Sequence, residues 1–158
     1  GCEVDFNAWT QQPNEKPNVA LSGLRTNGGH VHASYDMTKL PAAKHIMVRA
    51  CDVFLGSVLS QIDSDSRRRN LYGMAGAYRP KPYGFEYRVP SNIWIAKDQN
   101  IELVYNQMAA MFAYMEANPK STFDEDRQTV EQAINNSNPE AFEMLNAKYN
   151  VVSSNAVG

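Results

Sequence analysis

Two cysteines, three histidines and no apolar run approaching the roughly 20 residues needed to span a bilayer set the first limits on this 158-residue chain. Cys2 and Cys51 cannot build a four-thiolate zinc site, and no C-x-x-C spacing exists. Cys51 falls on a predicted helix beside Ala50 and reads as a buried free thiol rather than half of a disulfide. The signatures G-x-S-x-G, the phosphate-cradling P-loop and H-E-x-x-H are absent. Cys51 and His45 lie six residues apart on one helix, point to different sides, and make no nucleophile–base pair. No repeat or low-complexity tract stands out. These absences point away from an enzyme, with no catalytic residue, cofactor or metal expected. The chain opens on Gly1-Cys2 rather than Met, which reads as processing, excision from a longer product, or an expression remnant.

What is present is ordinary globular composition, 43% apolar and 20% charged, at a length that buries a real core. The organising stretch is Pro41 to Ile62. Its apolar residues Ala43, Ile46, Met47, Ala50, Phe54, Val58 and Ile62 recur at three- and four-residue steps, while Lys44, Arg49 and Asp52 fall outside that stripe. Pro41 suits a first helical turn. A second helix spans Ile101 to Ala117, capped by Asp98 or Asn100, with Ile101, Val104, Met108, Met111, Phe112 and Met115 on its apolar face. Across this pair Ile46, Ala50, Phe54 and Val58 are expected to face Val104, Met108, Met111 and Phe112. A third helix capped by Ser121 or Thr122 carries Asp124, Glu125 and Asp126 in its first turn, where the helix dipole favours anions, and runs to about Ile134. Asn138 in front of Pro139 caps a fourth.

Between the long helices, Arg67 to Ala77 reads as a short helix. Phe85 to Val89 and Asn92 to Ala96 read as a β-hairpin turning at Pro90-Ser91-Asn92. The fold expected is therefore mainly α with one small hairpin (α+β), a helix-pair or small-bundle core with extended arms at both ends. Residues 1–29 form the N-terminal arm, 30–150 the helical core domain with a basic aromatic insert at 66–97, and 151–158 an uncharged tail. Phe6, Trp9, Val19, Leu21 and Leu24 make the arm too apolar for a solvated tail, so it is expected to lie across its own surface or a neighbour's.

Charge is segregated although the net is only −2. From Ser66 to Lys97 seven basic residues face the single acid Glu86, whereas Glu116 to Glu143 carries seven acids against Lys120 and Arg127. The basic segment interleaves Arg67, Arg68, Arg69, Arg79, Lys81 and Arg88 with aromatics, Tyr72 and Tyr83 among them. Cations that neutralise phosphates beside rings that stack on bases are what sequence-tolerant binding of single-stranded RNA or DNA requires. These eight residues are the candidate nucleic-acid site. In a strand, His30 and His32 share one face as H-x-H metal ligands do, with His45, Asp36 or Glu102 as distant third ligands. Two polar residues in a loop after Gly28-Gly29 explain the pair more simply, and no metal is expected there.

A basic and an acidic face on one subunit also favour head-to-tail association of copies, which builds rings or helical filaments. In general plan this resembles the helical coat proteins and nucleoproteins of filamentous or rod-shaped viruses, although no family motif matches residue by residue. The function expected is thus a self-assembling coat protein or nucleoprotein of a virion. The alternative is a secreted or lipid-anchored bacterial binding module or filament subunit without nucleic acid, with Cys2 as the lipid-bearing residue and an extracellular or cell-envelope location.

Overall fold

The computed structural model describes residues 4–16, 28–63 and 65–152. In chain order the elements are β1 (Phe6–Asn7), β2 (Gln12–Pro13), β3 (Val31–Ser34), α1 (Lys44–Cys51), a π-helical turn (Asp52–Gly56), α2 (Ser57–Ile62), α3 (Ser66–Leu71), β4 (Ala77–Lys81) and β5 (Gly84–Tyr87). A 3₁₀ turn (Asn92–Ala96), α4 (Asp98–Ala117), a second 3₁₀ turn (Asp124–Asp126), α5 (Arg127–Asn135) and α6 (Pro139–Tyr149) follow. The architecture is α+β around a five-stranded antiparallel sheet, order β2-β1-β4-β5-β3, so the expected small hairpin in a helical bundle is incorrect.

The hairpin was misplaced because Phe85–Tyr87 pairs backwards, with Ala77–Lys81, and not forwards across Pro90. The Ser91 hydroxyl accepts from the Ile93 N–H and turns Asn92–Ala96 into a 3₁₀ helix. Pro80 sits inside β4, where a proline would ordinarily cost a ladder bond. The Arg88 N–H donates to the Ala77 carbonyl, and the alternation of antiparallel bonds then makes 77, 79 and 81 the residues that bond β5. The Pro80 nitrogen therefore points away from β5, beyond the end of two-residue β1, where no ladder bond is lost.

The described part of the N-terminal arm is also not free. Phe6 and Asn7 pair with Tyr78 and Ala77, and Ala8 and Trp9 are buried. Val19, Leu21 and Leu24 lie outside the described residues, as do Cys2 and residues 153–158. Of the expected tail, Val151 is buried, its carbonyl accepting from Gln107 Nε2 at 2.8 Å.

The central helix is buried nearly all round from Met47 to Ser60, because α1, the π turn and α2 are wedged between sheet and outer helices. The polar residues outside its apolar stripe are consequently inside. Arg49 is 5% exposed and ties three segments together. It donates from Nε to Ala8 O (2.9 Å), from Nη2 to Trp9 O (3.3 Å), and from Nη1 to Thr122 O (3.0 Å) and Asp124 Oδ1 (2.7 Å). Cys51 is a buried free thiol whose pKa burial pushes well up.

α1 and the π turn pack on α4, where Val104, Gln107, Met111 and Met115 are buried. Phe54 meets Tyr114 and Tyr149, with ring centroids 5.3 and 6.2 Å away. Phe54→Ala is expected to destabilise the fold by about 3–5 kcal/mol. Urea unfolding followed by circular dichroism measures this, and a loss below about 1 kcal/mol would show that the helix pair is not a principal source of stability. At the far end, the Asn138 side chain accepts from the Glu140 and Ala141 N–H groups, capping α6 with Pro139 in its first turn.

Candidate functional site

Strand alternation divides the sheet's side chains between two faces. Phe85, Tyr87 and Tyr78 turn toward the helices, where the Tyr87 hydroxyl donates to Asp52 Oδ1 at 2.6 Å. Glu86 turns to the other face, and the register sets His32 and Arg79 directly opposite it on β3 and β4. His30, Lys81 and Arg88 share that face through their contacts with Glu86. Asp5, just before β1, reaches Arg88 Nε at 3.8 Å.

Glu86 is the hub. Its Oε1 lies 2.7 Å from Arg88 Nη1 and 3.0 Å from His30 Nδ1; its Oε2 lies 3.8 Å from both Arg79 Nη1 and Lys81 Nζ. Burial opposes its charge, but the Arg88 hydrogen bond and the charges of Arg88 and Arg79 prevail and hold the carboxyl below its ordinary range. Burial, with Arg88 adding to it, depresses His30 to about 4. At neutral pH the face therefore presents an ionised carboxylate beside a neutral imidazole.

The orientation of that imidazole follows from its neighbours. Arg88 can only donate, and its Nη2 donates to the Tyr72 hydroxyl oxygen. The Tyr72 O–H is then directed at His30 Nε2, 2.9 Å away, and Nδ1–H donates to Glu86 Oε1 at 3.0 Å, which makes the 3.3 Å approach of Arg88 Nη1 to Nδ1 a close contact and not a hydrogen bond. The result is a closed ring of Arg88, Tyr72, His30 and Glu86. His32 sits at the exposed rim, its Nδ1 2.7 Å from the hydroxyl of Tyr83, which is 47% exposed at the hairpin tip.

This geometry redistributes the eight residues singled out in the sequence. Arg79, Lys81, Arg88, Tyr72 and Tyr83 do converge here, around an acid rather than as an open basic stripe. Arg68 and Arg69 do not. Both are 4% exposed and act as internal braces. Arg68 donates to Val89 O and Pro90 O, each at 3.1 Å, and Arg69 donates to Asp63 O and Ser137 Oγ. The side chain of Arg67 lies outside the described residues. A phosphate backbone cannot reach guanidinium groups already spent on buried carbonyls.

The H-x-H pair was legible, but its acidic neighbour was not among the candidates offered for it. Asp36 instead accepts from Thr38 in a turn. His45 lies near Arg49 and Asp124, and Glu102 is exposed on α4. The carboxylate that joins His30 is Glu86, 56 positions later and brought in by β-pairing; the E-x-R spacing of Glu86 and Arg88 was the only local signal. Among the described residues no three His, Cys, Asp or Glu side chains gather as a metal site.

The fold and site thus define an α+β domain with one helix-covered sheet face and one polar, charge-dense face. Residues 21–151 match the family described as Phage phiEco32-like COOH.NH2 ligase-type 2. That span is most of the chain, and the chain belongs to this family. No curated protein and no solved structure matches it. Membership overturns the expectations of a coat protein or nucleoprotein, of a virion component and of a chain that is not an enzyme: the family is one of ligases. No helix among the described residues is long and apolar enough to cross a membrane.

Proposed function

We propose that this chain joins a carboxylate to an amine, driven by a nucleoside triphosphate, on the charge-dense face of the β3-β5-β4 sheet. The observation that carries the reading is the convergence of Glu86, His30, Arg79, Lys81 and Arg88 on that face, within the span matched by the ligase family.

Amide formation from a carboxylate is uphill in water, so the leaving oxygen must first be made a good leaving group. The carboxylate attacks the terminal phosphorus of the triphosphate, giving an acyl phosphate and the nucleoside diphosphate. The amine then attacks the acyl carbon, the C–O bond to phosphate breaks, and inorganic phosphate and one proton leave. Arg79 and Lys81, 16% and 24% exposed, are the cations placed to neutralise the transferred phosphoryl group. Arg88 and Tyr72 hold Glu86 and His30 in place. A divalent cation accompanying the triphosphate would neutralise phosphate charge, but Glu86 and His30 do not fit it: Glu86 and Tyr72 engage both imidazole nitrogens, and Arg79, Lys81 and Arg88 already crowd the carboxylate.

The test is formation of hydroxamate from carboxylates, ATP, Mg²⁺ and hydroxylamine, with release of phosphate in equal amount. Lys81→Met should lower kcat by about 100-fold while thermal stability stays nearly unchanged, since a partly exposed lysine contributes little to folding. Unchanged kcat in that variant would move the phosphoryl site elsewhere.

A further inference from the structure

The two edges of the sheet are built differently. β2 is two residues long and ends at Pro13, which blunts that edge. β3 has four residues, no proline and no lysine, and among the described residues no strand pairs with its outer side. The Tyr35 N–H donates to Tyr83 O (3.3 Å), and the register Val31↔Tyr87, Ala33↔Phe85 continues that set. Residues 31, 33 and 35 are therefore those that bond β5. By alternation, the backbone N–H and C=O groups of His32 and Ser34 point outward, giving two donors and two acceptors on the open edge.

From this we infer that the carboxylate substrate is carried by an extended peptide that adds to β3 as a further strand; the inference rests on the ligase reading above. A strand added at the usual spacing lies roughly 4.8 Å from β3 and sends alternate side chains to the face that holds His32 and Glu86. An Asp or Glu at such a position brings its carboxylate to the rim of the site, beside His32 and Tyr83. Main-chain bonds to His32 and Ser34 supply affinity without reading sequence, and the alternating side chain supplies the reacting group. A free amino acid has no extended backbone to use this edge.

The experiment compares hydroxamate formation, with ATP, Mg²⁺ and hydroxylamine, from capped tripeptide pools (acetyl-X-Glu-X-amide and acetyl-X-Asp-X-amide) and from free glutamate and aspartate. The pools should show at least about tenfold higher kcat/KM, the worth of one or two net hydrogen bonds. Ser34→Pro removes one outward N–H without touching the ladder to β5, so the fold should persist. It should lower kcat/KM for the pools by about tenfold and leave that for free glutamate unchanged. As a second measurement independent of folding, the same pools N-methylated on the backbone should lose about the same factor with the unaltered protein. Equal kcat/KM for peptides and free amino acids, or indifference to both Ser34→Pro and N-methylation, overturns the peptide inference and leaves the ligase reading standing. No hydroxamate from any carboxylate overturns the ligase reading, and the peptide inference with it.

Discussion

Glu86→Gln is expected to lower kcat/KM for ligation by on the order of 100-fold, the range seen when a group that orients or holds a charged site is neutralised. The side chain keeps its size and still accepts from Arg88 and His30, so lost activity in a folded variant reports on charge. Glu86→Ala should do more. It takes from Arg79, Lys81 and Arg88 the carboxylate they share, and breaking a buried ion pair from one side costs about 3–5 kcal/mol. The pH profile adds an independent check. His30 titrates at about 4 because burial and Arg88 disfavour its charge, so activity should hold through pH 6.5 and fail only well below it. An acid limb centred at 6.5 would mean that His30 is a solvated histidine and the ring with Tyr72 and Arg88 is not formed. Steady-state kinetics of the variant beside its thermal melt would decide the matter: full activity in Glu86→Gln removes Glu86 from the site.

Asp52→Asn should change how stability depends on pH. Asp52 is fully buried on the helix side of the sheet, accepting from Trp9 Nε1 at 2.7 Å and from the Tyr87 hydroxyl at 2.6 Å. Burial raises it from 3.8 to about 7, against the pull of the Tyr87 and Trp9 hydrogen bonds. Between these two values the folded state holds a proton that the unfolded chain has released, so stability falls as pH rises through that window. The full loss above pH 7 is on the order of 4 kcal/mol. His30 has the opposite sign: depressed from 6.5 to about 4, it stabilises the fold above 6.5, and that contribution is lost as pH falls toward 4. In the native protein the two slopes oppose each other between about pH 4 and 6.5. Asparagine can accept from Trp9 through its oxygen and donate to Tyr87 through its amide, so it fits without a charge. The variant should match the native protein near pH 4, gain on it by a few kcal/mol at pH 8, and show the rising slope that His30 and His45, both depressed by burial, dictate. Urea unfolding at several pH values measures this, and a variant less stable than the native protein at pH 8 would mean that the ionised carboxylate is stabilising where it sits.

Gly56 belongs to the same picture. A Cβ there would overlap the Tyr87 hydroxyl and stand 2.9 Å from Ile134 Cδ1, so the π turn brings a bare backbone against the sheet where Tyr87 meets Asp52. Helical periodicity carries no sign of such a contact, because it records which residues recur on a face and not how closely a sheet approaches.

By itself the sequence determined what is local. Apolar periodicity placed α1 and α4, and Asn138-Pro139 marked the start of α6, because caps and amphipathic stripes act within one or two turns. It also showed that cations and tyrosines cluster between residues 66 and 97. The tertiary structure alone decided the rest. β-pairing joins residues far apart in the chain, so the partner of Phe85–Tyr87 and the meeting of His30 with Glu86 could not be read from neighbours. Burial assigned the arginines. Arg68 and Arg69 satisfy carbonyls inside the fold, whereas Arg79, Lys81 and Arg88 surround one carboxylate on the charge-dense face, and only packing separates a brace from a binding group when the residue type is the same.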